Sequence, residues 1–283
     1  MTLAQAYQYC LQMAQNHYEN FPVASRLLPA PQRRAVAVIY AFARQADDMA
    51  DEGEHRIPQR LAMLDAYAQQ LDAMAAGKTP DDPVFIALAD VIARFTLPLS
   101  LFHDLLSAFR QDVTKTRYAD FTEVLDYCRR SANPVGRLLL HLHDEASAEN
   151  LRRSDQICSA LQLINFMQDL EQDLIENNRS YLPEDEMAAL GLDRQALHSR
   201  SREPALLQLV DRQNARIRQM MEDGASLGGD LKGRFGLEIR LITEAGLQVL
   251  RKLEQHQGNP WQRPRLQRRD YLQIVWRALW QRH

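Results

Sequence analysis

Apolar positions along this chain recur every three to four residues, and no stretch alternates apolar and polar side chains as a half-buried strand does. The pattern predicts an all-α protein. Thr2 followed by Gln5 is a capping-box pair that opens a first helix running to about His17. FPVASRLLPAP follows, where Pro22, Pro29 and Pro31 forbid a regular helix. An apolar helix then spans Gln32 to Gly53. Further helices are predicted over Pro58–Ala76, Val84 to about Phe95, Pro98 to about Asp112, and Phe121–Ser131. A buried one starts at Asn133-Pro134 and carries Leu138, Leu139, Leu140 and Leu142. A long one covers about Leu151 to Glu176, and a polar loop, NNRSYLPED, closes it. Pro204–Ser226, a glycine-bearing hinge GGDLKGRFG, Leu237–His256 and an amphipathic end piece YLQIVWRALW complete the chain. No repeat, low-complexity block or domain boundary interrupts it, so one domain over 1–283 is expected.

Chemistry concentrates on two of these helices. On the first, Tyr40, Arg44, Asp47 and Asp51 fall at i, i+4, i+7 and i+11 and share a face, while Val38, Ile39, Phe42 and Met49 lie around the other side. A lone DDxxD is more often the solvated end of a core helix. An arginine one turn before stacked carboxylates also suits an anion held with a hard cation. On the second helix, Gln162, Asn165, Asp169 and Asp173 repeat that spacing, with an amide one turn ahead of the acids, and Arg179 and Tyr181 follow closely. Two such pairs could hold Mg²⁺ against a diphosphate, because Mg²⁺ prefers a few carboxylates together with phosphate oxygens. His141 and His143, at i, i+2, lie on different sides of a helix and do not form a metal pair.

Composition narrows the classes. The chain of 283 residues is 46% hydrophobic and 25% charged, as for an ordinary globular protein. A net charge of −3 offers no general attraction for nucleic acid. The basic run Arg263, Arg265, Arg268 and Arg269 is read as a solvated face. Cys10, Cys128 and Cys158 form neither a disulfide framework nor a zinc spacing, which fits a reducing cytoplasm. No window reaches the apolar length of a membrane span and the start lacks a secretory pattern, so the protein is expected to be soluble or peripheral. GGDLKG has neither the flanking strand nor the spacing of a nucleotide loop.

The words around the acids are more specific. FPVASRLLPAPQRRAVAVIYAFARQADDMADEG, LDYCRRSANPVGRLLLHL and LQLINFMQDLEQD with RSYLP resemble the squalene/phytoene synthase family, in order and spacing, from about His17 to Arg269. The phrases NFPVAS, ADDMADEG, KTRYADF and RRSANPVG look like those of its hopanoid-pathway branch. The resemblance implies an all-α isoprenoid-synthase helical bundle in which the two acidic motifs face one central cavity. It implies Mg²⁺ on Asp47, Asp51, Asp169 and Asp173 with Asn165 assisting, and diphosphate contacts from Tyr40, Arg44, Arg179 and Arg263. Tyr127 takes the place of the family's active-site tyrosine, or is a core tyrosine with a satisfied hydroxyl. Phe21, Ala132, Val135, Leu161 and Gln162 would line the isoprenoid cavity, although apolar residues at this spacing are equally ordinary core.

The implied reaction is Mg²⁺-dependent ionisation of presqualene diphosphate, rearrangement of the cation and capture by water to give hydroxysqualene and diphosphate. The alternative within the family is head-to-head condensation of two farnesyl diphosphates to presqualene diphosphate, squalene or phytoene. A catalytically silent assembly protein is the alternative of another class. Gln168 and Glu171 stand where many relatives carry arginine and glycine, and Tyr18, Glu19 and Asn20 replace a serine-rich flap. One cation fewer favours a site handling one diphosphate at a time. An isoprenoid diphosphate is thus the expected partner, with no nucleic acid and a monomer or weak homodimer; Trp276, Leu279 and Trp280 suggest peripheral contact with the inner face of a membrane, although an amphipathic end helix more often packs on its own domain.

Overall fold

The computed structural model describes residues 1–16, 28–51, 53, 55–255 and 259–280. Phe21, Tyr18, Glu19 and Asn20 lie outside these. Every regular element among the described residues is a helix. The chain divides into two compact units. The first comprises Met1–Thr114 and Pro134–Ser147, and the second Lys115–Asn133 and Ala148–His283.

The first unit contains α1 (Leu3–Asn16), α2 (Ala30–Asp51), α3 (Ile57–Ala75), α4 (Pro83–Phe95) and α5 (Leu99–Thr114), together with α7 (Asn133–Leu142) from its second residue onward. The predicted capping box forms: Thr2 N–H donates to Gln5 Oε1 at 2.9 Å, and Gln5 N–H to Thr2 Oγ1 at 3.3 Å. α2 begins two residues earlier than the prolines suggested. Pro31 sits in its first turn, where a missing N–H costs nothing. Asp82 caps α4, accepting from the N–H groups of Val84 and Phe85, with Pro83 at the first helical position.

α2 is the centre of this unit and packs against α1, α3, α4 and α5. Its Phe42 is fully buried among Tyr67, Phe85 and Phe102, with ring centroids 5.1, 6.0 and 5.3 Å away, the last two edge-on. Val38, Ile39, Ala41 and Ala46 line the same core. The face with Arg44 and Asp47 is thereby turned away from it.

The second unit holds α6 (Phe121–Ser131), α8 (Ala148–Gln168), α9 (Leu170–Glu176), α10 (Glu184–Ala189), α11 (Arg194–His198), α12 (Pro204–Ala225), α13 (Leu227–Asp230), α14 (Gly233–Glu254) and α15 (Arg268–Trp280). α12 packs along α8, and α14 lies against both. The single long helix expected over 151–176 is two, because Asp169 leaves helical dihedrals (φ −101°, ψ 13°) between α8 and α9. Backbone bonds bridge the bend, from Asp169 N–H to Asn165 O and from Asp173 N–H to Asp169 O. The polar loop after it runs into α10, and α13 overlaps the start of the hinge.

Glycines let the helices of this unit approach closely. A Cβ on Gly224 of α12 would lie 2.6 Å from Ile157 Cγ1 and 2.8 Å from the Arg153 carbonyl oxygen of α8. Alanine is the better helix former by about 1 kcal/mol, yet the backbone of α8 cannot yield as a side chain can. Gly224→Ala is therefore expected to destabilise the protein by about 1–3 kcal/mol, read as a lowered denaturation midpoint. An unchanged or raised midpoint would show that the helices separate freely here.

Candidate functional site

Each unit carries one cluster of acids with arginine beside it. In the first unit the acids fall in the last turn of α2, where the helix macrodipole is negative and where α2 has no basic residue. Arg44, one turn earlier, offsets part of this charge: its Nη1 is 3.3 Å from Asp47 Oδ2 and its Nη2 is 2.5 Å from Asp48 Oδ1. Asp48 is a partner that the i, i+4, i+7 reading passed over. Asp51 is exposed at the helix end and Tyr40 is half-buried two turns from Asp47. Gly53, at φ 81°, turns the chain out of the helix. Arg60 of α3 then ties down the exit, its Nη1 donating to the Ala50 carbonyl and its Nη2 to that of Gly53.

In the second unit the bend between α8 and α9 places Asp169 and Asp173 together. Burial is the main force raising the pKa of both. For Asp173 the charge of Asp169 adds to burial, and the carboxyl is pushed up to about 6. Arg179 and Arg263 act against this rise. Asn178, at φ 51°, reverses the chain so that Arg179 N–H donates to the Asp173 carbonyl at 3.0 Å. The Arg179 side chain is buried and donates through Nη1 to the Tyr181 hydroxyl at 3.3 Å. Arg263 grips Asp169 with two nitrogens, Nε at 2.5 Å from Oδ1 and Nη2 at 3.1 Å from Oδ2.

Arg263 reaches Asp169 because the segment between α14 and α15 is pinned at three points. Trp261 Nε1 donates to the Ser201 carbonyl at 2.8 Å, Gln168 Nε2 to the Pro264 carbonyl at 2.8 Å, and Lys252 Nζ to the Arg265 carbonyl at 3.0 Å. Gln168 and Glu171, two of the residues expected from the sequence to depart from the family pattern, are both engaged: Gln168 in this strap, and Glu171 in an ion pair with Arg200 at 2.9 Å.

Tyr127 of α6 is buried in a four-ring cluster with Tyr118, Phe166 and Tyr181. Phe166 and Tyr181 stack with centroids 3.4 Å apart and planes 4° from parallel. Tyr118 and Phe166 were missed in the sequence. Phe166 does lie between Asn165 and Asp169 on α8, so its position beside the acids was visible, but its ring partners were not. Asn165 is exposed one turn before Asp169, and Gln162 and Ala132 are half-buried. Leu161, also half-buried, lies against Gly246 of α14, where a Cβ would come within 2.6 Å of its Cδ2. Val135, in the first unit, is exposed rather than core.

Among the described residues no three His, Cys, Asp or Glu gather closely enough to hold a metal by themselves. Paired carboxylates of raised energy beside arginines do fit an ion of Mg²⁺ type that completes its octahedron with water and phosphate oxygens.

A family model described as squalene/phytoene synthase matches residues 14–271. A hydroxysqualene synthase of Rhodopseudomonas palustris is 37% identical over 237 residues, spanning 83% of this chain and 80% of its own. A phytoene synthase of Mycobacterium tuberculosis is 36% identical over 190 residues, spanning 67% of this chain and 61% of its own. The crystal structure of squalene synthase HpnC from Alicyclobacillus acidocaldarius aligns with a TM-score of 0.84 at 32% identity, covering 90% of this chain and 95% of that one. The last shows the all-α isoprenoid-synthase fold.

The half-buried pair carries a cost that pH should reveal. With its pKa raised to about 6 from an unfolded value near 3.9, Asp173 binds its proton more tightly in the native state than in the unfolded one. Stability therefore falls as pH rises between those values, and the penalty persists at neutral pH. In chelator, Asp173→Asn should melt higher than the parent at pH 7.5, and the gap should close as pH drops towards 4. Thermal melts across that range check this, and a variant that melts lower at pH 7.5 would show the carboxylate to be structurally stabilising instead.

Proposed function

Because the chain belongs to the squalene/phytoene synthase family of isoprenoid synthases, we propose that it ionises presqualene diphosphate with the aid of Mg²⁺. Rearrangement of the cyclopropylcarbinyl cation and its capture by water then give hydroxysqualene and diphosphate. The observation that carries this reading is the Asp169–Asp173 pair, two partly buried carboxylates whose mutual cost a divalent cation offsets. The acids of α2, crowded at the negative end of their helix dipole, are read in the same way. Mg²⁺, when bound, would neutralise negative charge on the departing diphosphate.

The protein's own groups supply the rest. Arg44, Arg179 and Arg263 offer planar, permanently charged donors to diphosphate oxygens, with Tyr40 as a neutral donor. Their attraction grows as the C–O bond breaks and charge collects on the leaving group, which is the condition for accelerating ionisation. Arg263 already holds a carboxylate in bidentate fashion, so it would exchange Asp169 for phosphate oxygen. Tyr127, Phe166 and Tyr181 are rings of the type that stabilise a cation, and substrate would have to part the Phe166–Tyr181 stack to reach their faces. The hydroxysqualene synthase relative spans more of this chain than the phytoene synthase does, which supports water capture over two-substrate condensation. Gln168 and Glu171 add no cation, which supports one diphosphate at a time.

The deciding assay offers purified protein, with Mg²⁺, presqualene diphosphate or farnesyl diphosphate, each with and without NADPH, and identifies products by mass spectrometry. Hydroxysqualene from presqualene diphosphate without NADPH is the expected result. Product from farnesyl diphosphate alone would place the protein on the condensing branch, and turnover of neither would favour a silent assembly protein. In the same assay Asp47→Asn and Asp173→Asn should each lower kcat by roughly 10²–10³-fold, and near-normal turnover of either would remove that residue from the metal site. Arg44→Ala should chiefly raise KM, whereas a purely structural Arg44 would instead lower the melting temperature with KM unchanged.

A further inference from the structure

The terminal helix is built inside out. On α15 the residues turned inward are Asp270, Ile274 and Ala278, and polar contacts hold this side to α14. Asp270 pairs with Lys252 at 2.6 Å and accepts from Gln248 Nε2 at 3.1 Å. Arg277 lies 4.0 Å from the buried Glu244, and Arg240 Nε donates to the Ala278 carbonyl at 2.8 Å. Turned outward are Leu272, Trp276 and Trp280, exposed at 76%, 58% and 73%, with Tyr271, Val275 and Leu279 beside them. At 100° per residue these six form one continuous side, which Arg268 and Arg269 extend at its N-terminal end. Rolling the helix to bury its apolar side would part Asp270 from Lys252 and Gln248, and Arg277 from Glu244, so these contacts favour the observed orientation. The apolar side faces solvent.

We propose that this face docks the protein on a membrane surface containing anionic lipid. The residue types are those that settle at the headgroup boundary, two tryptophans and a tyrosine interleaved with leucine and valine. Charge agrees: Arg265, Arg268 and Arg269 are exposed at one end of the face, and no acid is exposed on the helix. Lipid needs no matching surface, whereas a second copy of the chain would have to complement this one. Docking of this kind stands apart from the reaction proposed above, since none of these residues belongs to the acidic sites.

Co-sedimentation of the full chain with vesicles tests this, using phosphatidylcholine alone and an equal mixture with phosphatidylglycerol, without substrate. Tryptophan emission gives a second readout, because Trp261 is buried while Trp276 and Trp280 are exposed, so a blue shift on binding reports this face. Binding to the anionic vesicles is expected to be roughly tenfold or more tighter than to the neutral ones, and to weaken about fivefold with each of Arg268→Gln and Arg269→Gln. Leu272→Ser, Trp276→Ser and Leu279→Ser together should abolish it with circular dichroism unchanged; the arginine variants keep the test open if that triple variant misfolds. The proposal is overturned if anionic vesicles are not bound, if the substitutions leave binding unchanged, or if sedimentation velocity shows a dimer that the triple substitution dissociates.

Discussion

Clustered negative charge on an apolar helical scaffold is the constraint to which the candidate sites answer. α2 ends in Asp47, Asp48 and Asp51 at the wrong pole of its own dipole, and the bend after α8 sets Asp173 beside Asp169 partly out of water. Neither arrangement follows from helix stability. Both persist because neighbouring parts are fitted to offset them: Phe42 and its three aromatic partners fix the buried side of α2, Arg44 and Arg60 bring positive charge to its acidic end, and Arg179 and Arg263 oppose the charge of the second pair. The compensation is partial, as the raised pKa of Asp173 shows. Partial compensation leaves the carboxylates with charge that an ion of the kind proposed above would neutralise.

The second cluster also shows how a distant segment can set local electrostatics. Arg263 is 94 residues from Asp169 along the chain, and its approach depends on Trp261, Gln168 and Lys252 holding three points of one strap. Gln168 is adjacent to the acid it serves, yet acts through a carbonyl on that strap. Its amide does what a charged side chain in its place would do differently: it fixes the backbone that carries a cation and brings no charge of its own. In the folded chain Gln168 is a tether for the strap that carries Arg263.

Much of this was legible beforehand, for identifiable reasons. The helical period separated the oily and chemical sides of α2 because its core is continuous, and the Thr2 capping box formed because such contacts are local. What escaped was either non-local or a matter of backbone detail. Spacing alone cannot distinguish a straight helix from one bent at Asp169, since both keep the i, i+4 backbone bonds on either side. The ring cluster of Tyr118, Tyr127, Phe166 and Tyr181 draws on α6, α8 and two loops, so no window of sequence contains it. Asp48 was passed over because the chosen face was drawn one residue too narrow for an arginine with two arms.

The end helix marks the sharper limit of periodicity. Its pattern correctly announces an amphipathic helix, but amphipathicity states only that two sides differ, and the default assignment turns the apolar side inward. On α15 that default is reversed by a polar network centred on buried Asp270 and Glu244. An acid or arginine that finds a partner on α14 sets the orientation more firmly than a leucine, because apolar burial is non-directional while an abandoned buried charge is costly. The basic run before it, which looks from composition like solvated surface, divides for the same reason. Arg263 turns to Asp169, whereas Arg265, Arg268 and Arg269 stay with the outward face. Sidedness in such a helix is decided by the few polar residues that are satisfied on one side only.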